Sequence, residues 1–228
     1  VNFAAQSEVA PSWEYPEHWY QTNTVALAQL VNHLRRRPYL RRYLHISSPE
    51  VYGSCVGTVR EEAPVNPSTP YAASKAAADM LLTTYRRQFN FPLLTVRATN
   101  VYGARQQLFK IIPRTALYLK LGRPIELHGG GRAVKSYIHI RDVSRGELAL
   151  RFAGQVGELY HLSPGAGVEV REVVRRLCEQ GGYNFAAATT AVYFSPFKRV
   201  PKPPGKMAEP WQGLEFYILG RRESAEWL

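Results

Sequence analysis

YLHISSPEVYG, residues 43–53, is the part of this chain that indicates its fold class most directly. The segment 43–47 is rich in apolar and aromatic residues, which is typical of a buried strand, and the serines and proline that follow end it. Helical patterns lie on both sides, at 22–37 with apolar residues at helical spacing and at 72–88 with Ala, Leu and Lys but no Gly or Pro. An alternation of strands with long helices indicates βαβ units and therefore a parallel sheet.

The same alternation continues along the chain. We predict strands at 1–5 and 92–98, helices at 111–121 and 141–152, an extended segment at 124–128 and a turn at 129–131. This order favours an α/β fold with a doubly wound parallel sheet and a smaller lobe formed by the second half. Beyond residue 182 the periodicity is lost and prolines accumulate, so we expect 183–228 to be an irregular tail.

The composition limits the classes of protein that the chain can represent. Its 228 residues are 45% hydrophobic and contain no run of eighteen apolar residues, so we expect no membrane span, no secretion and a cytoplasmic location. Cys55 and Cys178 lie far apart, and neither has a companion Cys or His at metal-ligand spacing. We therefore predict neither a disulfide framework nor a metal site.

The chain carries a formal net charge of +11, and arginines cluster at 35–37 and 41–42. Such a cluster attracts phosphates, so a nucleic-acid surface is one interpretation. The other is a solvated helix end, which we favour because few aromatic residues are interleaved with the arginines. Nucleic acid is therefore not the expected partner.

Tyr71 and Lys75 are the first candidates for chemistry. They lie four residues apart on a predicted helix, so their side chains share one face. An ammonium group near a phenol stabilises the phenolate and allows tyrosine to act as a base. Alone, the pair is weak evidence and is more typical of an exposed helix surface. Ser47 and Ser48 add context, because they follow a strand end, where ligands bind in open α/β sheets.

Six motifs occur in a specific order: VNFAAQSEV, YQTN, SSPEVYG, EEAPVNPSTPYAASKAAAD, RATNVYG and YIHIRDV. Through them, most of residues 1–180 resembles the extended short-chain dehydrogenase/reductase family, specifically its nucleotide-sugar epimerases and 4,6-dehydratases. The resemblance implies a Rossmann-like, partial NAD-binding domain at 1–105 that carries the catalytic residues, and a substrate-binding lobe at 106–182. Residues 183–228 do not resemble the family.

The resemblance also implies roles for individual residues. Ser48 would orient the hexose 4-hydroxyl, Tyr71 would remove its proton, and Lys75 would bind the nicotinamide ribose and lower the pKa of the tyrosine. The residues implied in NAD binding are Phe3, Ala4, Ala5, Ser47, Tyr71, Lys75 and Ala98. Those implied in binding the nucleotide-diphosphate sugar are Ser48, Asn100, Lys110 and Lys135.

Glu50 bears on the type of reaction. In the dehydratases a glutamate at this position removes the C5 proton once C4 is oxidised, which favours a 4,6-dehydratase over a 4-epimerase. The chain departs from many dehydratases at Pro49, where they carry an aspartate that protonates the leaving hydroxyl. Because proline cannot donate a proton, a nucleotide-sugar decarboxylase or a 4-epimerase stays an alternative, as does a surface glutamate without a role.

The family's glycine-rich turn, which binds the pyrophosphate of NAD, does not occur in this sequence; the one glycine cluster, 129–131, follows a late strand. The resemblance therefore implies either a fragment of a longer enzyme or a degenerate relative. A degenerate relative could bind RNA, or it could be a scaffold that forms a homodimer. Relatives dimerise through a four-helix bundle, and residues 22–37 and 72–88 match its helices.

Overall fold

A computed structural model describes residues 1–55 and 57–193. The chain forms two compact units. The first comprises Val1–Val101 and Ile138–Pro164, and the second comprises Tyr102–Tyr137 and the described residues from Gly165 onward. Within this part of the chain, no helix is long and apolar enough to cross a lipid bilayer.

The helices and strands follow one another along the described chain. The α-helices are α1 Pro16–Tyr20, α2 Leu27–Leu34, α3 Pro70–Phe89, α4 Ile111–Lys120, α5 Ile140–Ala153, α6 Val170–Gly181 and α7 Phe185–Ala188. The strands are β1 Tyr43–Ile46, β2 Leu93–Ala98, β3 Asn100–Tyr102, β4 Ile125–His128, β5 Val134–Lys135, β6 Tyr137–His139, β7 Leu159–Leu162, β8 Val168–Glu169 and β9 Thr189–Val192.

The first unit is built on a parallel sheet with the strand order β1-β2-β7. Ile46 of β1 is level with Val96 of β2, and Ala98 of β2 is level with Leu162 of β7. On the other side of β1, Asn2 forms a parallel bridge with His45, so the strand predicted at 1–5 is reduced to this single bridge. The parallel pairing confirms the predicted α/β fold class, and the nearly continuous burial of β1 and β2 is typical of such sheets.

The helical segment before β1, together with α3, covers one face of this sheet. A continuous helical segment runs from α1 through a π-helical turn, Gln21–Ala26, into α2, so the helix predicted at 22–37 begins earlier, at Pro16, and ends at Leu34. Proline suits the first turn of a helix because it has no N–H to pair. This segment packs against α3. Side chains from both helices and from the sheet form one apolar cluster, and its members include Leu27, Val31, Tyr43, Leu82 and Phe91.

The second unit has its own apolar core. Strands β4 and β9 pair in parallel, β5 and β8 pair antiparallel, and the buried side chains come mainly from β4, α4 and α6. They are Leu119, Ile125, Leu127, Ala133, Val170, Val174 and Cys178. Because α7 and β9 are regular, the irregular segment predicted from residue 183 does not begin there; residues 194–228 lie outside the described residues.

The predicted boundaries at 105 and 182 differ from the two compact units. Residues 138–164 return to the first unit because β7 pairs with β2 and because α5 packs on the same sheet, where Gly146 lies against Leu162. The functional division at these boundaries stays a prediction.

The helix–sheet core makes a specific prediction about stability. Leu82 is fully buried on α3, so Leu82→Ala should lower the free energy of unfolding by about 2–5 kcal/mol, the usual result of opening a cavity in a packed core. Met80 on the same helix is 56% exposed, and Met80→Ala should change the free energy of unfolding by no more than about 0.5 kcal/mol. Urea unfolding of both variants measures the difference, and equal effects would contradict this packing.

Candidate active site

The site begins where β1 ends. Ser47 N donates to Val96 O over 2.8 Å, which extends the pairing with β2 by one residue. Ser48 then starts a 3₁₀ turn at Pro49–Tyr52, and its Oγ accepts a hydrogen bond from Glu50 N over 3.2 Å. This cap follows from the Ser-Pro order, since serine caps a turn and proline suits its first position. Ser48 and Glu50 therefore lie at the carboxyl edge of the parallel sheet.

The turn ends at Gly53, which has a φ of 70°. A Cβ atom there would lie 2.0 Å from Asn66 O, so only glycine fits. Asn66 N in turn donates to Val51 O over 2.8 Å. The loop that leads to α3 thus returns to the 3₁₀ turn and fixes its position.

The start of α3 is equally well defined. Thr69 Oγ1 accepts from Ala72 N, Pro70 occupies the first turn, and Tyr71 N donates to Ser12 Oγ over 3.1 Å. These contacts satisfy N–H groups that a helix start otherwise leaves unpaired. They also fix the backbone that carries Tyr71, while Lys75 follows one turn later.

Tyr71 and Ser48 meet at this edge, where the Ser48 hydroxyl lies close enough to the phenol to lower its pKa. Burial raises the pKa of Tyr71, the Ser48 hydroxyl opposes this by donating to the phenolate, and the Glu50 and Asp79 carboxylates raise the pKa further. The resemblance implied a lowered pKa instead. The direction differs because removing the phenol from water disfavours its charged form, and this effect outweighs the Ser48 contact.

Lys75 is also buried, with only 3% of its surface exposed. Its Nζ donates to Ile46 O over 2.7 Å, so the ammonium group lies under the end of β1. Burial lowers the pKa of Lys75, and the negative charge of Asp79 partly restores it. The alternative of an exposed Tyr71–Lys75 surface pair is therefore wrong.

A buried polar cluster lies next to these residues and was missed by the sequence analysis. Asp79 accepts a hydrogen bond of 2.7 Å from Ser47 Oγ and another of 2.7 Å from Arg97 Nη2, and His45 Nε2 lies 3.3 Å from its other oxygen. Burial alone would raise the pKa of Asp79, but these partners outweigh it and the pKa is lowered. The sequence does contain a signal for Asp79, because it follows Lys75 at the same four-residue spacing at which Lys75 follows Tyr71.

The cluster changes the interpretation of Ser47. The resemblance implied a contact with NAD, yet its hydroxyl is directed to Asp79, inside the unit. Any contact with a cofactor would therefore involve the backbone of Ser47. That contact stays a prediction.

A second network joins the loop 53–69 to the sheet. Tyr52 Oη lies 2.6 Å from His161 Nε2 on β7, and the guanidinium of Arg97 lies 4.6 Å from the centre of the Tyr52 ring. His161 N donates to Glu61 Oε1 over 3.0 Å. Arg97 therefore contacts both the Asp79 carboxylate and the ring beside the loop, so the two networks share a residue.

The other residues implied in binding are placed as follows. Phe3, Ala4 and Ala5 are exposed and follow Asn2, which is bridged to β1, and Ala98 is half-buried at the end of β2. Asn100 is exposed at the start of β3. In the second unit, Lys110 is exposed at the start of α4 with its Nζ 5.1 Å from the centre of the Phe109 ring, and Lys135 is half-buried on β5.

The first unit therefore has a parallel sheet with a buried lysine, a tyrosine and a serine gathered at the carboxyl end of β1. That arrangement is typical of α/β proteins that bind dinucleotides at this edge. A sequence model of the NAD dependent epimerase/dehydratase family matches residues 1–162. The chain belongs to this family.

Similar proteins of known activity agree with that assignment. A dTDP-glucose 4,6-dehydratase of Xanthomonas campestris pv. campestris (strain B100) is 32% identical over 188 residues, which cover 78% of this chain and 54% of the relative. A trifunctional UDP-glucose 4,6-dehydratase/UDP-4-keto-6-deoxy-D-glucose 3,5-epimerase/UDP-4-keto-L-rhamnose-reductase of Arabidopsis thaliana is 31% identical over 202 residues, covering 86% of this chain and 30% of the relative. The chain thus spans only part of both proteins.

The fold is similar to solved structures of the same class. The crystal structure of DesIV, a dTDP-glucose 4,6-dehydratase of Streptomyces venezuelae with NAD bound, superimposes with a TM-score of 0.79 at 28% identity. The match covers 99% of this chain and 73% of that one.

The buried histidines predict how stability depends on pH. Burial lowers the pKa of His45 and of His161 below the ordinary value of 6.5. The unfolded chain therefore binds more protons than the folded chain below about pH 6.5, so the free energy of unfolding should fall as the pH drops from about 7.5 to about 5.5. Urea unfolding at several pH values measures this dependence.

His45→Gln should reduce that pH dependence and leave the part that comes from His161. His18→Gln provides a matched control, because His18 is exposed on α1 and lies outside both networks. A slope equal to that of the wild-type chain in the His45→Gln variant would contradict the burial of a neutral imidazole.

Proposed function

We propose that this chain carries the catalytic residues of an NAD-dependent nucleotide-sugar 4,6-dehydratase. The observation that supports it most is the position of Ser48 and Tyr71 at the carboxyl end of β1, where Ser48 and Glu50 both lie close enough to affect the pKa of the phenol. Lys75 lies one helical turn after Tyr71, on the same face of α3. The dTDP- and UDP-glucose 4,6-dehydratases among its relatives suggest a nucleotide-linked glucose as substrate.

The residues present fit one end of NAD. A lysine ammonium has three N–H donors, and one of them is used by Ile46 O, so Lys75 could also hold the nicotinamide ribose. Tyr71, Ala98 and the backbone of residues 3–5 would complete this part of the site, where small side chains permit a close approach. NAD would supply the acceptor for hydride from C4 of the hexose and later return it to C6.

The protein groups would handle protons. Ser48 would hold the 4-hydroxyl, and Tyr71 would accept its proton while the Ser48 hydroxyl and the Lys75 cation stabilise the phenolate. Once C4 is a ketone, the C5 proton becomes acidic and Glu50 would remove it as water leaves from C6. With Pro49 in place of an acid, Glu50 would also pass the proton to the departing hydroxyl.

The raised pKa of Tyr71 predicts that the rate increases with pH over the alkaline range, since only the phenolate accepts a proton. Tyr71→Phe removes the base and should lower kcat by about 100-fold or more. Tyr85→Phe, on the same helix in the apolar cluster, is the matched control and should retain activity. The assay supplies NAD with dTDP- or UDP-glucose and measures the 4-keto-6-deoxy sugar.

Full activity in Tyr71→Phe would contradict the role of the phenol. A product with an intact C6 hydroxymethyl group and inverted C4 would favour the 4-epimerase, and loss of CO₂ from a uronic acid sugar would favour the decarboxylase.

Glu50→Gln separates the two halves of the proposed reaction. The amide cannot remove the C5 proton, so the yield of 4-keto-6-deoxy sugar should fall by about 100-fold or more, while exchange of hydride at C4 continues. The absorbance of the reduced nicotinamide, followed after the NAD-loaded variant is mixed with the sugar, measures this hydride transfer. Unchanged dehydration in this variant would contradict the role of Glu50 and would favour a surface glutamate without a role.

We further propose a cytoplasmic homodimer. The paired helices Pro16–Leu34 and α3 expose apolar side chains outside their mutual contact, among them Tyr20, Val25, Leu30 and Met80. Exposed apolar surface of this kind is typical of a helix-to-helix interface. The RNA alternative has less support, because Arg35 lies 4.2 Å from the centre of the Phe89 ring, Arg37 bonds His33 and Arg42 bonds Gly154 O.

Sedimentation tests the dimer. Val25→Glu with Leu30→Glu places two charges on the exposed helix surface, so it should raise the dissociation constant at least about tenfold. Leu148→Glu, on an exposed position of α5, is the control and should leave sedimentation unchanged. A monomeric wild-type chain would contradict this interface. So would a dimer whose dissociation constant is unchanged by the Val25 and Leu30 substitutions.

A further inference from the structure

The carboxylate of Asp79 has polar side chains from β1, the end of β1 and β2 around it. It is buried, and it accepts hydrogen bonds from Ser47 at the end of β1 and from Arg97 on β2. His45 Nε2 on β1 lies 3.3 Å from its other oxygen. None of the proton transfers proposed above uses it. It nevertheless bonds Ser47, the neighbour of Ser48, and lies one helical turn after Lys75, and the proposed reaction uses both Ser48 and Lys75.

We infer that Asp79 is a positioning residue of this site, one that fixes the Ser47–Ser48 backbone and places a fixed negative charge beside the Lys75 ammonium. This inference rests on the proposed function for its catalytic meaning. Its physical content is the effect on Ser48 through the Ser47 hydrogen bond and the effect on Lys75 through a charge one helical turn away.

The first effect is mechanical. Ser47 is held twice, by its N–H to Val96 O and by its hydroxyl to Asp79 Oδ2, each at 2.7–2.8 Å. Ser48 follows directly and has an extended backbone, with φ −144° and ψ 140°, before the 3₁₀ turn begins. Because the preceding residue is fixed on both its backbone and side chain, Ser48 Oγ keeps its direction toward Tyr71.

The second effect is electrostatic. Asp79 lies one turn after Lys75 on α3, and its charge favours the ammonium form that burial disfavours. Arg97 and His45 face the same carboxylate from β2 and β1, and Glu50 acts on Tyr71 from the 3₁₀ turn. Without the Asp79 charge, the Arg97 and Lys75 cations would share a buried region with no carboxylate between them.

Two variants separate these effects. Asp79→Asn keeps the shape of the side chain and removes its charge, and Ser47→Ala removes the hydroxyl contact and keeps the charge. Asp79→Glu keeps the charge with a longer side chain, and it serves if the asparagine variant does not fold. Circular dichroism establishes that each variant is folded.

The decisive measurement requires no enzymatic activity. In chain labelled with ¹³C at lysine Cε, the NMR titration of Lys75, assigned with a Lys75→Arg variant, should move to lower pH in Asp79→Asn and stay unchanged in Ser47→Ala. Labelling at tyrosine Cζ should show the titration of Tyr71 moving to higher pH in Ser47→Ala, because the Ser48 hydrogen bond is weakened. Asp79→Glu should retain the wild-type titration of Lys75.

Activity measurements test whether the position of Ser48 matters for catalysis. In Ser47→Ala, kcat should fall about 10- to 100-fold, with the KM for nucleotide sugar changed less than about threefold, since a displaced hydroxyl affects the proton transfer more than binding. A Lys75 titration that is the same in Asp79→Asn and wild type overturns the electrostatic half, and an unmoved Tyr71 titration in Ser47→Ala overturns the mechanical half. If both titrations move but no sugar is converted, the inference stands and the proposed function fails.

Discussion

A single buried carboxylate joins a helix and two strands at the edge of the sheet that carries the candidate site. Asp79 on α3 binds the end of β1 through Ser47 and binds β2 through Arg97, so it joins the helix that carries Tyr71 and Lys75 to the two strands beneath it. Burying a charged group is costly unless it is paired and hydrogen bonded, and this carboxylate has both a cation and a hydroxyl as partners. The placement of Ser47 relative to α3 depends on this contact.

Burial has opposite consequences for the two candidate reacting groups. It raises the pKa of Tyr71 and lowers that of Lys75, so in each case it favours the uncharged form. Polar neighbours oppose this effect: Ser48 lowers the pKa of Tyr71, and Asp79 raises the pKa of Lys75.

Much of the first unit could be predicted because its signals are local. The strand at 43–47, the helix at 72–88 and the strand at 92–98 each match an observed element within two residues or so, since apolar periodicity, helix caps and prolines act over a few positions. The Tyr71–Lys75 spacing on one helix face is local in the same sense. The return of 138–164 to the first sheet was not predictable, because it depends on pairing between β2 and β7, which are distant along the chain.

The sequence by itself determined the α/β class, the parallel strand-helix order and the placement of Ser48, Tyr71 and Lys75 at strand and helix ends, because these follow from local patterns. Only the tertiary structure decided that Ser47 is directed inward to Asp79, that Arg97 and His45 join it, and that Tyr71 has a raised pKa. These properties depend on which distant side chains are buried together, and burial and charge pairing act through space.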